Sequence, residues 1–151
     1  MKISFRLGYL AIIILLLIAG VYLFAAKQTT LWDRDEPRFA RASVEMINSG
    51  NYLIPTFNGK LWLDKPILTY WCQAAAMKIF GQTEFACRFF SAIGTALSCF
   101  FVFLIGKRLC NADTGFWALG IVSTTLMMFA IGTLATSDGV TIPFTAGAML
   151  V

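Results

Sequence analysis

The stretch LWDRDEPRFA, residues 31–40, sets Asp33, Arg34, Asp35, Glu36 and Arg38 within six positions. Asp64-Lys65-Pro66 follows, and later Asp138 in ATSDG. The chain has no histidine, and Cys72, Cys87, Cys99 and Cys110 show no C-x-x-C spacing. Those cysteines read as small packing residues rather than a metal or disulfide frame. No glycine-rich phosphate loop is present either. The chemistry therefore rests on carboxylates with Lys and Arg. Such a set activates a hydroxyl as general base or anion and neutralises a departing phosphate. Arginine grips two phosphate oxygens with its fork, whereas lysine acts as a point charge.

These residues sit among strongly apolar segments. Hydrophobic residues make up 58% of the chain and the mean hydropathy is +0.74, the composition of an integral membrane protein. Residues 7–26 form an uncharged run of 20, enough to cross about 30 Å of hydrocarbon and longer than the apolar core of a secretory signal. Residues 89–106 and 116–135 read as two further spans, and 140–151 as the start of a fourth that stops short, so the chain looks truncated. Ser91, Gly94, Thr95 and Ser98 share one helical face and would let a neighbouring helix approach closely. The net charge of +4 is too small and dispersed for a nucleic-acid surface.

The polar loop, about residues 27–88, divides into three pieces. Pro37 suits a first turn, Asp35 or Glu36 can cap it, and Gly50 ends a helix whose side Phe39, Ala42, Met46 and Ile47 suits a membrane surface. Asn58-Gly59 between short apolar arms is a hairpin signal. Residues 64–81 open with Asp64 as a cap, but only Pro66 to Met77 is uncharged. Twelve residues are too few to cross, so this piece reads as an interfacial or re-entrant helix. The fold class expected is all-α and membrane-embedded, a multi-span bundle with interfacial helices in the loop.

Each charged motif has a plainer reading. Asp35 and Glu36 serve equally as helix caps, Arg34, Arg38 and Arg41 as headgroup anchors, and Asp64-Lys65 as a cap with a snorkelling lysine. Capping explains one carboxylate of the first pair and leaves the other over. Asp138 also reads as a cap, yet a charge at the junction of two spans tends to mark a site. If residues 64–81 do not cross, two intervening spans return Asp138 to the side of Asp35 and Glu36.

The order LWDRDEPRFARASVEMINSGNYLIPTFNGKLWLDKPILTYW, then FGQTEFACRFFSA, then ATSDG resembles the membrane-embedded GT-C glycosyltransferases. The closer likeness is to the lipid A aminoarabinose transferase and protein O-mannosyltransferase-like family, N-terminal part, over residues 1–151. The resemblance implies a sugar carried on polyprenyl phosphate and an active site built by the first extracytoplasmic loop. It implies Asp35, Glu36 and Asp138 as catalytic residues, with Arg38, Asp64 and Lys65 binding substrate. Asp64 stands where aminoarabinose transferases often carry glutamate, and Phe39 where they often carry tyrosine; both changes bear on donor choice. The expected function is transfer of a sugar to a lipid or protein acceptor at the outward face of the bacterial inner membrane. No nucleotide cofactor is needed, a divalent metal stays open with no ligands named, and membrane lipids are the remaining partners. Residues 1–151 alone are expected to be inactive.

The competing class is a transporter or channel fragment whose carboxylates line an ion path. It would hold its acids in mid-span, whereas Asp35, Glu36 and Asp64 lie in the polar loop. Counting Lys and Arg alone, the loop carries eight (Lys27, Arg34, Arg38, Arg41, Lys60, Lys65, Lys78, Arg88) against four opposite (Lys2, Arg6, Lys107, Arg108). A bare positive-inside count would put the loop in the cytoplasm; the resemblance puts it outside, with several cations facing phosphate.

Overall fold

The computed structural model describes residues 2–28, 30–31 and 35–150. Asp33 and Arg34 of the opening cluster lie outside the described residues. Seven helices and a small hairpin follow in order: α1 (Lys2–Gln28), α2 (Asp35–Ser49), β1 (Thr56–Phe57), β2 (Lys60–Leu61), α3 (Ile67–Phe80), α4 (Glu84–Leu109), α5 (Ala112–Ser123), α6 (Leu126–Thr133) and α7 (Ser137–Ala148).

Among the described residues two single helices are long and apolar enough to cross a membrane, Gly8–Gln28 of α1 and Glu84–Leu109, the whole of α4, and the bent pair α5–α6 passes the same test as one broken span. Along α1 the large residues Leu16, Leu17, Val21 and Phe24 are exposed, while Ala11, Tyr22 and Ala26 are buried. That is the pattern of a peripheral span, with lipid-facing bulk and with two alanines and the hydrogen-bonding Tyr22 turned to the bundle. At the centre, α4 packs on α1, α3, α5, α6 and α7. Its small face is buried as expected at Ser91, Gly94, Thr95 and Ser98. A Cβ added at Gly94 would lie 2.1 Å from the Gly139 carbonyl oxygen, so backbone meets backbone where α4 crosses α7.

The run 116–135 is not one straight helix. It breaks at Thr124-Thr125 into α5 and α6, bent by 65°. The Ser123, Thr124 and Thr125 hydroxyls all donate to carbonyls three or four residues back, competing with the helical ladder. Thr125 then takes the N-cap position of α6. The Ser123 carbonyl freed by the break accepts from the Tyr22 hydroxyl of α1 at 3.0 Å, as an apolar setting demands. The next helix, α7, starts at Ser137 rather than Val140.

The loop keeps its three pieces. Asn58 (φ 53°) and Gly59 (φ 73°) make the hairpin turn, both in the left-handed region that a two-residue turn of this hand requires. The 14-residue α3 measures about 21 Å, short of the hydrocarbon thickness. The apolar side of α2 behaves differently from the expected membrane-surface stripe. Phe39, Ala42 and Met46 pack with Tyr70 of α3, flanked by Tyr52, Trp62 and Ile67. Helix α3 shields that face, while Ile47 turns to the cluster containing Ala76, Met77, Ala86 and Cys87.

Candidate active site

Successive residues in a helix point about 100° apart, and the first turn of α2 uses that offset to send its two acids in opposite directions. Asp35 is exposed, with its side chain 62% accessible. Glu36 is 3% exposed and meets the fully buried Arg88 of α4. Arg88 Nε donates to Glu36 Oε1 at 2.9 Å and Nη2 to Oε2 at 2.7 Å. The same guanidinium donates from Nη1 to the Ala26 carbonyl at 3.0 Å and from Nη2 to the Thr30 carbonyl at 2.9 Å. Ala26 lies in the last turn of α1, whose terminal carbonyls lack intrahelical partners and carry the negative end of the helix dipole. Glu36 Oε1 also accepts a short hydrogen bond from the amide of Ala135. A buried pair survives desolvation only when its remaining donors and lone pairs are met, and these contacts meet them.

That pair accounts for the carboxylate that capping left over. Neither acid stands ahead of the helix, because both lie inside its first turn. Sequence reasoning counted Arg88 among the eight cations of the loop; the signal that could have found it was the surplus acid itself, which needed a cation.

Asp138 is exposed in the first turn of α7, where Ser137, Gly139 and Val140 are buried. Thr136, not Ser137 or Asp138, takes the N-cap position, without a side-chain cap bond. The Thr136 carbonyl accepts from Ser91 Oγ at 3.1 Å, pinning the α6–α7 link to α4. Since Ala135 bonds to Glu36, the segment leading into Asp138 meets the helix turn that carries Asp35. The Glu36–Ala135 hydrogen bond thus ties the start of α2, with Asp35, to the segment that leads into Asp138.

Arg38 lies one turn beyond Asp35, with Nη1 3.6 Å from Asp35 Oδ1 and its guanidinium 5.9 Å above the Trp62 ring. Asp64 and Lys65 are exposed in the link from the hairpin to α3. Asp64 does not cap α3: Pro66 holds the N-cap position and no side chain bonds there. Tyr70 of α3 is fully buried, with its ring edge-on to Phe39 and centroids 6.2 Å apart. Burial pushes the Tyr70 phenol up, the nearby Trp62 indole and Lys65 amide pull it back, and the Asp64 charge raises it further. Its hydroxyl has no partner in hydrogen-bond geometry among the described residues. Phe39, at the position where a tyrosine was expected, sits in this core. The tie from Asp35 to Asp138 runs through the Glu36–Ala135 hydrogen bond.

Glu45 is a further carboxylate that sequence reasoning missed. Its oxygens accept from Thr56 Oγ1 at 2.9 Å, the Asn58 amide at 2.9 Å, the Gly59 amide at 3.3 Å and Arg41 Nε at 3.1 Å. Desolvation works to raise its pKa, but these hydrogen bonds outweigh it and hold the carboxyl below the usual glutamate range. The clue was an Asn-Gly turn with amides to satisfy; nothing in the sequence named a partner on another element. Among the described residues, no three of Asp, Glu and Cys converge as cation ligands.

The described architecture is a bundle built around α4, with the exposed acids Asp35 and Asp138 at the starts of α2 and α7. The family model for dolichyl-phosphate-mannose-protein mannosyltransferase matches residues 64–151, from Asp64-Lys65 through Asp138. An undecaprenyl phosphate-alpha-4-amino-4-deoxy-L-arabinose arabinosyl transferase of Yersinia enterocolitica is 39% identical over 129 residues, 85% of this chain and 23% of that protein. A second such transferase of Proteus mirabilis is 35% identical over the same share of each chain. The chain spans about a quarter of the length of the curated relatives it matches. The crystal structure of ArnT from Cupriavidus metallidurans in the apo state superposes with a TM-score of 0.80 at 20% identity, covering 89% of this chain and 25% of that one, and shows the same fold. A match over more than half of the chain, on a bundle with membrane-spanning helices, makes this an integral membrane protein of the dolichyl-phosphate-mannose-protein mannosyltransferase family.

Proposed function

We propose that these residues build part of the active site of a glycosyltransferase that moves a sugar from a polyprenyl-phosphate carrier to a lipid or protein acceptor. Its place is the outward face of a bacterial inner membrane. The observation that carries this reading is the pairing of two exposed acids, Asp35 and Asp138, at the starts of α2 and α7, joined through the Glu36–Ala135 hydrogen bond. The relatives' names support the carrier, since each is called an undecaprenyl phosphate-aminoarabinose transferase. The same names favour a 4-amino-4-deoxypentose as the sugar, with Asp64 and Phe39 as the positions that tune that choice.

In this reading Asp35 takes the proton of the acceptor hydroxyl as its oxygen attacks the anomeric carbon. The bond from that carbon to the phosphate oxygen breaks, and the phosphate leaves on the carrier lipid. Lys65, exposed beside α3, and Arg38, one turn from Asp35, meet the charge gained by the leaving phosphate. Asp138 orients the acceptor or the sugar from the opposite helix. Glu36 reaches neither substrate and acts through Arg88. In a full-length transferase carrying this segment, Asp35→Asn should lower kcat by about 10² to 10⁴ with insertion into the membrane unchanged. Turnover is followed with polyprenyl phosphate bearing aminoarabinose or a hexose, and lipid A or peptide as acceptor. Activity within about threefold of wild type would return Asp35 to a purely structural place.

A further inference from the structure

We propose that Arg88 is the positioning residue of this site: its buried guanidinium sets the placement of Asp35 on α2 relative to Asp138 on α7. The catalytic consequence rests on the glycosyltransferase reading above; the geometric claim does not.

Five stretches of chain meet at one ion pair. Arg88 comes from α4, Glu36 from α2, the Ala26 carbonyl from the end of α1, the Thr30 carbonyl from the segment after it, and the Ala135 amide from the α6–α7 link. Glu36 is the chain neighbour of Asp35, and Ala135 precedes Asp138 by three residues. A displacement of the joint therefore reaches both exposed acids through one to three residues, with about 3.8 Å between successive Cα atoms.

A second anchor sits on the same side of α2. Ser43 Oγ donates to Gln73 Oε1 of α3 at 2.8 Å, and Gln73 Nε2 donates to the Cys87 carbonyl of α4 at 3.3 Å. Glu36 and Ser43 are seven residues apart, two helical turns, so they share a face. Both relays end on adjacent residues of α4, Cys87 and Arg88. One anchor would let α2 swivel about it, whereas two fix its rotation as well as its height, and rotation decides where Asp35 points.

The chemistry of the joint favours placement over bulk stabilisation. Well-packed apolar side chains of similar volume commonly replace a buried ion pair without loss of stability. They lack direction. A planar guanidinium presents its donors in a rigid fork and orients a carboxylate and two carbonyls at once; a lysine in its place keeps the charge without the plane.

The test uses a full-length transferase carrying this segment, with Cys72, Cys87, Cys99 and Cys110 replaced and spin labels placed at positions 35 and 138. The unaltered Arg88 protein should give one narrow distance distribution. Arg88→Lys should broaden it at least twofold with helix content retained. Unlabelled Arg88→Lys enzyme should lose about 10- to 10³-fold in kcat, with KM for the polyprenyl-phosphate donor within about threefold. Glu36→Gln, which keeps the shape and removes one charge, should broaden the distribution less and serves where Arg88→Lys does not insert. Unchanged distributions in both variants would overturn the proposal, as would failure of both to fold or a kcat held within twofold despite broadening. Broadening in the variants, when the unaltered protein transfers no sugar from any polyprenyl phosphate, would leave the positioning intact and sink the glycosyltransferase reading instead.

Discussion

Helix α2 carries two glutamate–arginine pairs of the same chemistry in opposite surroundings. Glu36 and Arg88 are buried, 52 positions apart in sequence, and bound through both carboxylate oxygens. Glu45 and Arg41 lie one turn apart on α2 itself, with Arg41 57% and Glu45 15% accessible. The first pair has left water on both sides, so its energy is set by how fully its atoms are met. The second keeps its cation in solvent, and its carboxylate is held mainly by the hairpin. Within one helix, then, a carboxylate does two jobs: inside, paired with Arg88, Glu36 joins five chain segments; outside, Glu45 docks a turn through its hydrogen bonds to the hairpin.

Removing the inner cation should break this contrast most severely. Arg88→Ala leaves Glu36 buried and uncompensated and should cost about 3 to 5 kcal/mol, read as loss of thermal stability in detergent micelles. Arg88→Met with Glu36→Leu should recover most of that stability without recovering transfer activity. Stability lost to the same depth in the double variant would show that the joint is a packing element after all.

The outer carboxylate should matter less. Glu45→Ala releases the Asn58 and Gly59 amides and the Thr56 hydroxyl to water and should cost about 1 to 2 kcal/mol. Amide exchange should quicken at the hairpin and stay slow in α4. The pH dependence has a definite sign. The folded pKa of Glu45 lies below its unfolded value, so its contribution is complete at neutral pH, above the unfolded value near about 4.3. It is lost as pH falls through the folded pKa. Hairpin exchange should thus accelerate in acid in the native chain and show a weaker acid response in Glu45→Ala.

The smallest effect belongs to Arg41→Ala. An exposed pair at this spacing contributes about 0.3 to 0.5 kcal/mol, so the melting midpoint should move by a degree or two and the hairpin should remain docked. A loss comparable with that of Glu45→Ala would mean that the cation, and not the turn, holds the carboxylate.

The reading of the loop shows where local pattern reaches and where it stops. The Asn58-Gly59 turn and the end of α2 before Gly50 were legible because they depend on backbone conformations few residues adopt. The buried small face of α4 was legible because four small residues recur at helical spacing. The cap assigned to Asp64 was not, because Pro66 already supplies the conformation the start of α3 needs. The break at Thr124-Thr125 was hidden in an apolar run, where hydropathy is blind to three adjacent hydroxyls competing for backbone carbonyls. The stripe of α2 was read correctly as apolar, but its partner, α3, lies 20 to 30 residues further along the chain.

Sequence alone determined the membrane setting, the lengths that separate spanning from non-spanning helices, and the set of acids and bases from which any chemistry must come. Each follows from composition or from periodicity within a single element, which neighbouring residues decide among themselves. Only the tertiary structure decided that Asp35 faces out while Glu36 faces in, that Arg88 is a buried joint rather than one more cation of the polar loop, and that Asp138 is tethered to the helix carrying Asp35. Those outcomes depend on which distant groups can satisfy a charge once water is gone. That is a pairing among residues 52 to 99 positions apart, and no local pattern encodes it.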